Sequence, residues 1–491
     1  MTSRMIAVLA MLCAVHRATA QSLRERLDQR LDAPGLEHLL WGVAVTDLDG
    51  HLLYGRNADR LLIPASNMKL IVSTVANSLL GPSFTVKTSV YATGPIGTSG
   101  VVDGDVILYG RGDPTFSHRC YDADTTKPGV CDRDPAAKLH MLAQQLHDRG
   151  VRVIAGDLVG DGSYFTPEVI HPAWENYDLG WWYAAPVSGL GFNDNSVDFA
   201  ETAGDAIGHP PQLVMTPDLG AFSLENRADV ERGARRTFDI FRAADGKGYF
   251  ATGTLPAGAA TRYESAAVVD PNWYAAIAFR HELEGAGITV RGAVRSTIDS
   301  LTYENALTTP PLAEVTSRPL RDWLYPILSP SQNWFAEMLM KQVGRRFGTS
   351  GSWEEGRRIE RRFLIDSVGI DSTEFSIQDG SGLAANNYVT PLAFTKLLRF
   401  AYRHPGFEAI HAALPQSGKP GTLRERFNGT AAAGTVHAKT GSISGVNTLS
   451  GFIERPGAPV LVFSVMANHH TLGGNRMIAM IDSVVSELAK P

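Results

Sequence analysis

The sequence predicts a mixed α/β (α+β) protein in which one domain is assembled from both ends of the chain and interrupted by a long β-rich insertion. The N-terminal part combines a predicted strand pair with a helix, and the C-terminal part combines helices, a hairpin and a closing helix. Between residues 85 and 302 the pattern changes to short β-branched runs broken by Gly, Asp and Pro. We therefore predict a core formed by residues 21–84 and 303–491, and an insertion of one or two subdomains at 85–302.

The composition is that of a folded protein with several domains. The chain has 491 residues, of which 44% are hydrophobic and 20% charged, and about 150 residues per domain corresponds to roughly three domains. The formal net charge is −6, and no basic block or basic stripe interleaved with aromatic residues is present. Proteins that bind nucleic acid normally have such a cluster, so we expect no nucleic-acid partner.

The first twenty residues have the pattern of a secretory signal peptide. Arg4 precedes an apolar run from Met5 to Val15, and Ala18-Thr19-Ala20 supplies small residues before Gln21. The run is too short to span a bilayer as a helix, and no later run approaches the ~20 apolar residues that a span requires. We therefore expect residues 1–20 to be removed and the mature chain to be exported without a transmembrane anchor.

Three cysteines are present, and Cys13 lies in the segment that we expect to be removed. Cys120 and Cys131 remain in a polar, loop-like segment of an exported chain. A disulfide is the favoured interpretation, and two free thiols are the alternative. Two cysteines do not form a metal site, and His281-Glu282 lacks the second histidine of a zinc-binding helix. The sequence thus predicts neither a metal nor a cofactor.

The N-terminal elements follow from turn and capping residues. Residues 21–31 have the pattern of a short amphipathic helix, and residues 41–47 and 51–54 are predicted strands on either side of an Asp-Gly turn. A helix is then predicted to begin near Ser66 or Asn67, since both are favoured N-cap residues, and to end at Gly81-Pro82.

The remaining predicted elements are strands in the insertion, and helices with a final hairpin in the C-terminal part. The insertion strands are expected within residues 101–109, 150–159 and 289–296. The C-terminal elements are helical residues from near 320, a helix at 353–367, hairpin strands at 447–454 and 460–467, and a closing helix at 476–488.

Three short motifs contain the residues that could perform chemistry. Ser66 and Lys69 are three residues apart at the start of the first core helix, so the hydroxyl and the amine share a face and can form a hydrogen bond. Ser331-Gln332-Asn333 lies in a break before a helix, and Lys439-Thr440-Gly441 lies near a strand edge. Each motif alone also fits a structural role, as a helix cap or an exposed turn. Their joint occurrence in this order favours a catalytic interpretation.

In this order the motifs are the signature of penicillin-binding proteins and serine β-lactamases. The chain resembles the D-alanyl-D-alanine carboxypeptidase/endopeptidase family of class C low-molecular-mass penicillin-binding proteins. The long separation between the first two motifs is typical of that family, which inserts domains there. The clearest departure is Gln332, where the family usually has Asp or another small polar residue. Further segments that resemble the family are residues 109–115, 160–163, 379–383 and 438–442.

The resemblance implies both a fold and an activity. The core would have the serine β-lactamase/DD-peptidase fold, an antiparallel sheet flanked by helices. The protein would be a periplasmic hydrolase acting on peptidoglycan peptides that end in D-Ala-D-Ala, or on D-Ala-diaminopimelate cross-links, and β-lactam antibiotics would acylate it. The balance between carboxypeptidase and endopeptidase activity stays open, because the two reactions differ only in the group that leaves.

The resemblance also assigns roles to the reacting side chains. Ser66 would be the nucleophile, and Lys69 would be its base, kept neutral by burial and by the neighbouring cation Lys439. Ser331 would relay a proton to the leaving nitrogen. Asn333 would hold the backbone amide of the substrate.

The third motif would bind the substrate's end. Lys439 and the Thr440 hydroxyl would bind the terminal carboxylate. The N–H groups of Ser66 and Ser442 would form the oxyanion hole, and Gly441 would keep the strand edge open for the substrate.

Three further residues are assigned by the resemblance alone. Asp178 and Tyr183 match insertion residues that reach the cleft, and Arg426 matches a basic residue of the core. An acid could bind the ammonium group of a diaminopimelate side chain, and an arginine its carboxylate. The alternative is a surface acid and a buried aromatic residue without a role in binding.

Two other functions share this pocket. A serine β-lactamase would need rapid deacylation, commonly from a Glu-x-x-x-Asn loop, and no glutamate between Asn333 and Lys439 has asparagine four residues later. A non-catalytic β-lactam or cell-wall binding protein is usually tethered by a transmembrane segment, which the mature sequence lacks. Turnover of a D-Ala-D-Ala peptide, as opposed to acylation by penicillin alone, would distinguish the carboxypeptidase from the non-catalytic binding protein.

Overall fold

A computed structural model of the chain describes residues 22–117, 134–204, 207–233 and 235–490. The predicted signal peptide and the predicted Cys120–Cys131 disulfide lie outside these ranges and stay predictions. Within the described ranges, every helix is too short or too polar to cross a membrane.

The strands are numbered in chain order. They are β1 (Leu40–Thr46), β2 (Leu52–Arg56), β3 (Lys87–Ala92), β4 (Val101–Val102), β5 (Val106–Tyr109), β6 (Val153–Ile154), β7 (Leu158–Asp161), β8 (Ser196–Thr202), β9 (Gln212–Thr216), β10 (Ser223–Asn226), β11 (Asp229–Glu231), β12 (Asp239–Arg242), β13 (Gly248–Thr252), β14 (Thr254–Pro256), β15 (Arg262–Ala267), β16 (Thr289–Val290), β17 (Val294–Thr297), β18 (Ala313–Thr316), β19 (Phe375–Ser376), β20 (Tyr388–Val389), β21 (Val436–Ile443), β22 (Val446–Ile453) and β23 (Leu461–Asn468).

The helices are numbered in the same way. They are α1 (Leu23–Leu31), α2 (Met68–Leu80), α3 (Ala137–Asp148), α4 (Pro271–Gly285), α5 (Glu304–Leu307), α6 (Leu320–Leu328), α7 (Asn333–Phe347), α8 (Trp353–Phe363), α9 (Pro391–Arg403), α10 (Phe407–Ala413) and α11 (Gly474–Leu488).

A five-stranded antiparallel sheet lies at the centre of the core, in the order β2-β1-β23-β22-β21. Its first two strands come from the N-terminal part of the chain and its other three from the C-terminal part, so the sheet joins the two ends. All residues of β22 and β23 are buried, because apolar clusters with helices cover both faces of the sheet. The predicted α/β class, with an antiparallel sheet flanked by helices, is confirmed.

Helices cover both faces of this sheet. Along β23, Phe463 and Val465 enter a cluster with α1 and α11, whereas Val462 and Met466 enter a second cluster with α2, α7 and α9. Successive side chains of a strand point to opposite faces, so one strand contributes to two cores. Each fully buried side chain of this size contributes about 1.5–3 kcal/mol to stability, and the second cluster supports the helix that begins beside Ser66.

The insertion has its own core and contains helices that the sequence analysis did not predict. Its largest sheet has the order β17-β7-β5-β3-β18, and α3 and α4 pack in the associated apolar cluster. Helix α4 begins with an ordinary signal, because the Asp270 side chain accepts hydrogen bonds from the N–H groups of Asn272 and Trp273 and Pro271 is the first helical residue. The surrounding β-branched runs obscured that signal. The last strand, β18, follows residue 302, so the chain leaves this sheet only after Thr316.

Candidate active site

A tight turn at Ala65–Asn67 precedes α2 and presents Ser66. Helix α2 begins beside the two predicted N-cap residues, but neither Ser66 nor Asn67 makes a capping hydrogen bond with its side chain. The Asn67 side chain instead donates to Ser450 Oγ at 2.6 Å. Ala65 has a positive φ of 47°, a conformation that is costly for a residue with a side chain. The Ser66 hydroxyl is therefore left for other contacts, on a turn held in an unfavourable backbone conformation.

The surrounding sheet and one loop hold this turn in place. Asn468 at the end of β23 accepts from Ile63 N at 2.7 Å and donates to Ile63 O at 3.1 Å. Thr448 of β22 donates to Pro64 O at 2.9 Å. Gly382 approaches from the other side, so closely that a Cβ at that position would lie 1.9 Å from Ala65 O. The position of Ser66 thus depends on both ends of the chain.

The Lys69 amine is the centre of the site. It is completely buried and donates to Ser66 Oγ at 2.9 Å, to Asn333 Oδ1 at 2.7 Å and to Ser381 O at 2.8 Å. Burial lowers the pKa of Lys69 to about 7, while the nearby Glu337 and Asp379 carboxylates act in the opposite direction. A substantial fraction of this amine is therefore neutral at physiological pH and can accept a proton from Ser66.

Two buried acids that the sequence analysis did not assign lie beside Lys69. Glu337 accepts from Ser381 N at 2.7 Å, from Gly380 N at 3.1 Å and from Trp353 Nε1 at 2.8 Å. Burial and the Asp379 carboxylate raise the pKa of Glu337 to about 7. These contacts orient the Ser381 carbonyl, which receives the Lys69 hydrogen bond.

Asp379 organises the same loop from inside. Its carboxylate accepts from Gly382 N at 2.9 Å, from Ala384 N at 2.8 Å and from Trp174 Nε1 at 2.9 Å. The Asp-Gly-Ser-Gly-Leu segment was noted for its resemblance to the family, but nothing in its sequence indicated that its backbone carbonyl would bind Lys69.

The second motif lies at the start of α7. Ser331 has a positive φ of 70°, and its hydroxyl accepts from Lys439 Nζ at 2.8 Å. Asn333 uses both ends of its amide, since Nδ2 donates to Tyr183 O at 2.8 Å while Oδ1 receives the Lys69 bond. Gln332 caps the helix, with Oε1 accepting from Trp334 N at 3.1 Å and Nε2 donating to Asp194 Oδ2 at 2.6 Å. The departure from the family pattern therefore leaves the two polar side chains of the motif in place.

The third motif lies within β21, which is the last strand in the order of the core sheet. Lys439 is completely buried and also donates to Thr440 O at 2.8 Å. The Thr440 hydroxyl donates to Thr422 Oγ1 at 3.0 Å, and Ser442 Oγ accepts from Asn447 Nδ2 at 3.1 Å. A Cβ at Gly441 would lie 2.7 Å from Pro64 O and 3.1 Å from Ser66 N. Glycine is thus required for the strand to approach the Ser66 turn.

The electrostatic relation between the two lysines differs from the expectation. From the sequence we expected burial and the charge of Lys439 together to keep Lys69 neutral. Burial alone lowers the pKa of Lys69, whereas both burial and the neighbouring Lys69 lower the pKa of Lys439 well below its usual range. The carboxylates near Lys69 favour a proton there, so Lys439 is the amine that loses its proton more easily.

Ser66, Asn333 and Ser442 line a cleft with a volume of about 460 Å³. Asp178 and Tyr183 also line it, and the Tyr183 hydroxyl donates to Asp178 Oδ1 at 3.1 Å. Burial and Asp178 raise the pKa of Tyr183. The sequence analysis missed further residues of the lining: Glu175, Tyr177, Gly382, Leu383, Ala385, Ile443 and Ser444.

Arg426 is not among the residues that line this cleft. Its guanidinium binds the Asp482 carboxylate of α11, so the predicted contact of Arg426 with a substrate carboxylate is not supported by the geometry. Among the described residues, the two groups of His and carboxylate side chains close enough to share a metal ion also lie outside the cleft lining.

A serine–lysine pair at the start of a buried helix, facing a Lys-Thr-Gly strand, is the arrangement of penicillin-binding serine hydrolases. The chain belongs to the D-Ala-D-Ala carboxypeptidase 3 (S13) family, whose profile matches residues 23–488. It is therefore a peptidoglycan carboxypeptidase of the penicillin-binding class, and the predicted family is confirmed.

Individual relatives agree with this assignment. The chain is 33% identical over 485 residues to a D-alanyl-D-alanine carboxypeptidase of Actinomadura sp. (strain R39), covering 96% of this chain and 85% of that protein. It is 25% identical to the D-alanyl-D-alanine carboxypeptidase DacB of Haemophilus influenzae, covering 85% and 82% of the two chains. The crystal structure of penicillin-binding protein 4 (dacB) from Haemophilus influenzae has the same fold, with a TM-score of 0.80, 22% identity and coverage of 96% and 100%.

The contact between Gly382 and the Ser66 turn predicts a selective loss of activity. Gly382→Ala places a Cβ against Ala65 O, so the turn must move, and a displacement of about 1 Å can cost roughly 10²-fold in rate. The measurement is the rate of covalent labelling by a fluorescent penicillin. Gly369→Ala is the matched control, because Gly369 has φ 78°, close to the 82° of Gly382, but no atom lies within 4 Å of its Cβ position. Equal labelling rates for the two variants would contradict the role given to this contact.

Proposed function

We propose that the protein hydrolyses D-Ala-D-Ala peptides, and also D-Ala-diaminopimelate cross-links, through an acyl-enzyme on Ser66. The observation that carries this proposal is the contact of the buried Lys69 amine with Ser66 Oγ at 2.9 Å. A lysine in this position, with its pKa lowered to about 7, can take the serine proton at physiological pH. The expected export through a cleaved signal peptide would bring the enzyme to the periplasm, where this substrate lies.

In the acylation step, Lys69 removes the Ser66 proton and the serine oxygen attacks the carbonyl of the penultimate D-alanine. The N–H groups of Ser66 and Ser442, on the turn and on β21, would stabilise the negative oxygen. As the peptide bond breaks, the proton that Lys69 took from Ser66 would pass through the Ser331 hydroxyl, which is bonded to Lys439, to the leaving nitrogen, and Lys69 would be neutral again. Lys69 would then take a proton from the water that attacks the ester and return it to the Ser66 oxygen as the acyl group leaves. The same steps release D-alanine from a free stem peptide or a second stem peptide from a cross-link.

Asn333 lines the cleft, whereas Lys439 is buried outside its lining and is bonded to Ser331 Oγ at 2.8 Å. The Lys439 amine would reach the terminal carboxylate once substrate is bound, and that anion would favour the protonated amine that burial and Lys69 otherwise disfavour. Asn333 lines the cleft with its amide already oriented by Lys69 and Tyr183 O, and it would bind the substrate backbone. Glu175 and Asp178 give the cleft an acidic end, which fits the ammonium group of a diaminopimelate side chain.

Replacing the nucleophile tests the acyl-enzyme and the two activities together. Ser66→Ala should abolish labelling by a fluorescent penicillin and release of D-alanine, because the ester forms on that oxygen. Purified cross-linked peptidoglycan fragments, analysed by mass spectrometry, should yield separated stem peptides with the unchanged enzyme and none with Ser66→Ala. Labelling of another serine would contradict the mechanism. Release of D-alanine without cleavage of cross-links would contradict only the endopeptidase activity.

Lys439→Ala should separate carboxylate binding from the other roles of this lysine. A hydrogen bond to a charged group contributes about 1.5–3 kcal/mol, so kcat/KM for a D-Ala-D-Ala peptide should fall by roughly 10- to 150-fold or more. The loss should be markedly smaller for the same peptide with an amidated C-terminus, because that substrate lacks the carboxylate that Lys439 would bind. Lys439→Arg keeps the charge and should retain part of the activity. Equal losses for the two substrates would contradict the proposed carboxylate contact.

The pH dependence of acylation should report the protonation of Lys69. The base must be neutral, so the acylation rate should rise as the pH increases through about 7 and then level off. An ordinary lysine would give a rise extending to about pH 10. The rate constant of penicillin acylation between about pH 5 and 10 is the measurement.

Lys341→Met is the matched control for this profile. Lys341 is another buried lysine whose pKa burial lowers to about 7, but its amine donates to Glu168 O and Val187 O and not to Ser66. Its replacement should leave the midpoint of the rise unchanged. A midpoint that moves in this variant would contradict the assignment to Lys69.

A further inference from the structure

Three side chains from separate elements converge on one point away from the cleft lining. His411 lies on α10, His437 on β21, and Glu454 directly after β22. Their potential ligand atoms all lie within 4.8 Å of one another. His411 Nε2 is 3.1 Å from each Glu454 carboxylate oxygen, and His437 Nε2 is 3.6 Å from Glu454 Oε2.

The two His–Glu separations in this cluster match those between the ligands of one metal ion. In a tetrahedral zinc site with bonds of about 2.0–2.1 Å, neighbouring ligand atoms lie roughly 3.3 Å apart, and the values of 3.1 and 3.6 Å bracket this separation. The three side chains are 13–27% exposed, so the cluster is accessible enough for an ion and a water ligand. The two imidazole rings stack with centroids 4.5 Å apart and an interplanar angle of 21°, so one ring must turn for both Nε2 lone pairs to point at the same ion.

We propose that His411, His437 and Glu454 bind one divalent transition-metal ion of the zinc type. Two imidazole nitrogens and one carboxylate suit zinc and its neighbours, whereas magnesium and calcium prefer oxygen ligands throughout. The three ligands come from residues far apart in sequence, so they form a site only in the folded chain. This explains why the spacing of histidines in the sequence did not predict a metal.

The position of the cluster on β21 gives the bound ion a structural role. His437 precedes Lys439 by two residues on the same strand, so both side chains lie on one face of β21. Two residues span about 7 Å along a strand, and the strand then continues to Gly441 beside the Ser66 turn. The ion joins β21 to α10 and to the end of β22, and it holds the strand of the third motif without touching the reacting atoms.

The other His and carboxylate group of the described residues provides a matched control. Asp47, Asp49 and His51 lie within five residues at the turn between β1 and β2. The His51 side chain is 77% exposed and already binds Asp47. The variant His51→Ala tests whether zinc binding depends on the cluster of His411, His437 and Glu454 or on any exposed histidine near acidic residues.

The test is a titration of the chelator-treated full chain with Zn²⁺ by calorimetry, with Co²⁺ absorption as a second probe of the ligands. The unchanged protein and His51→Ala should bind one ion per chain, and Zn²⁺ should raise the Tm of both. His437→Ala and His411→Ala should each weaken binding at least about 100-fold and lose the rise in Tm. Labelling by a fluorescent penicillin checks that each variant is folded. If one of the two histidine variants does not fold, Glu454→Gln is titrated with Zn²⁺ in its place and should also bind more weakly than the unchanged protein.

Two outcomes would overturn the proposal. One is the absence of zinc binding by the unchanged protein, which would leave the cluster as a His–Glu ion pair alone. The other is equal binding by the unchanged protein and by His437→Ala, which would place the ion elsewhere. Neither outcome bears on the peptidase mechanism, because zinc is titrated without a substrate.

Discussion

The burial of the Lys69 amine is the constraint on which the rest of the site depends. An amine without contact with water needs acceptors on every side, and here these are a hydroxyl of the Ser66 turn, the Asn333 amide of α7 and the Ser381 carbonyl of a loop. Since each acceptor belongs to a different segment, all three segments must meet for the amine to be accommodated. The same desolvation lowers its pKa to about 7, so the burial that brings the three segments together also makes the neutral amine accessible near physiological pH.

Charge balance around Lys69 extends this constraint to neighbouring residues. Glu337 is placed to favour a proton on Lys69, while Lys439 on the other side gives up its own proton more readily. Glu360 on α8 is fully buried, and burial together with Glu337 and Asp379 raises its pKa well above the usual range. Burial and these two carboxylates therefore disfavour a negative charge on Glu360. Burial opposes the charged form of acids and amines alike around Lys69.

The insertion contributes to the site instead of merely interrupting the core. Its segment before β8 supplies the Tyr183 carbonyl to Asn333, the Pro186 carbonyl to Trp334 and the Val187 carbonyl to Lys341. All three recipients lie on α7, so this helix is anchored along its length by insertion backbone. The orientation of the second motif consequently depends on a part of the chain that has its own sheet and its own apolar cluster.

The sequence by itself determined the α/β class, the three motifs and the family, because these depend on local periodicity and on residue types at short spacing. It also indicated that the Ser66 and Lys69 side chains share a helix face. Only the tertiary structure decided that Asp379 and Glu337 support Lys69, that Ser66 does not cap its helix, and that Arg426 binds Asp482 instead of lining the cleft. These outcomes depend on contacts between residues distant along the chain and on burial, which changes the charge state of a side chain without changing its identity.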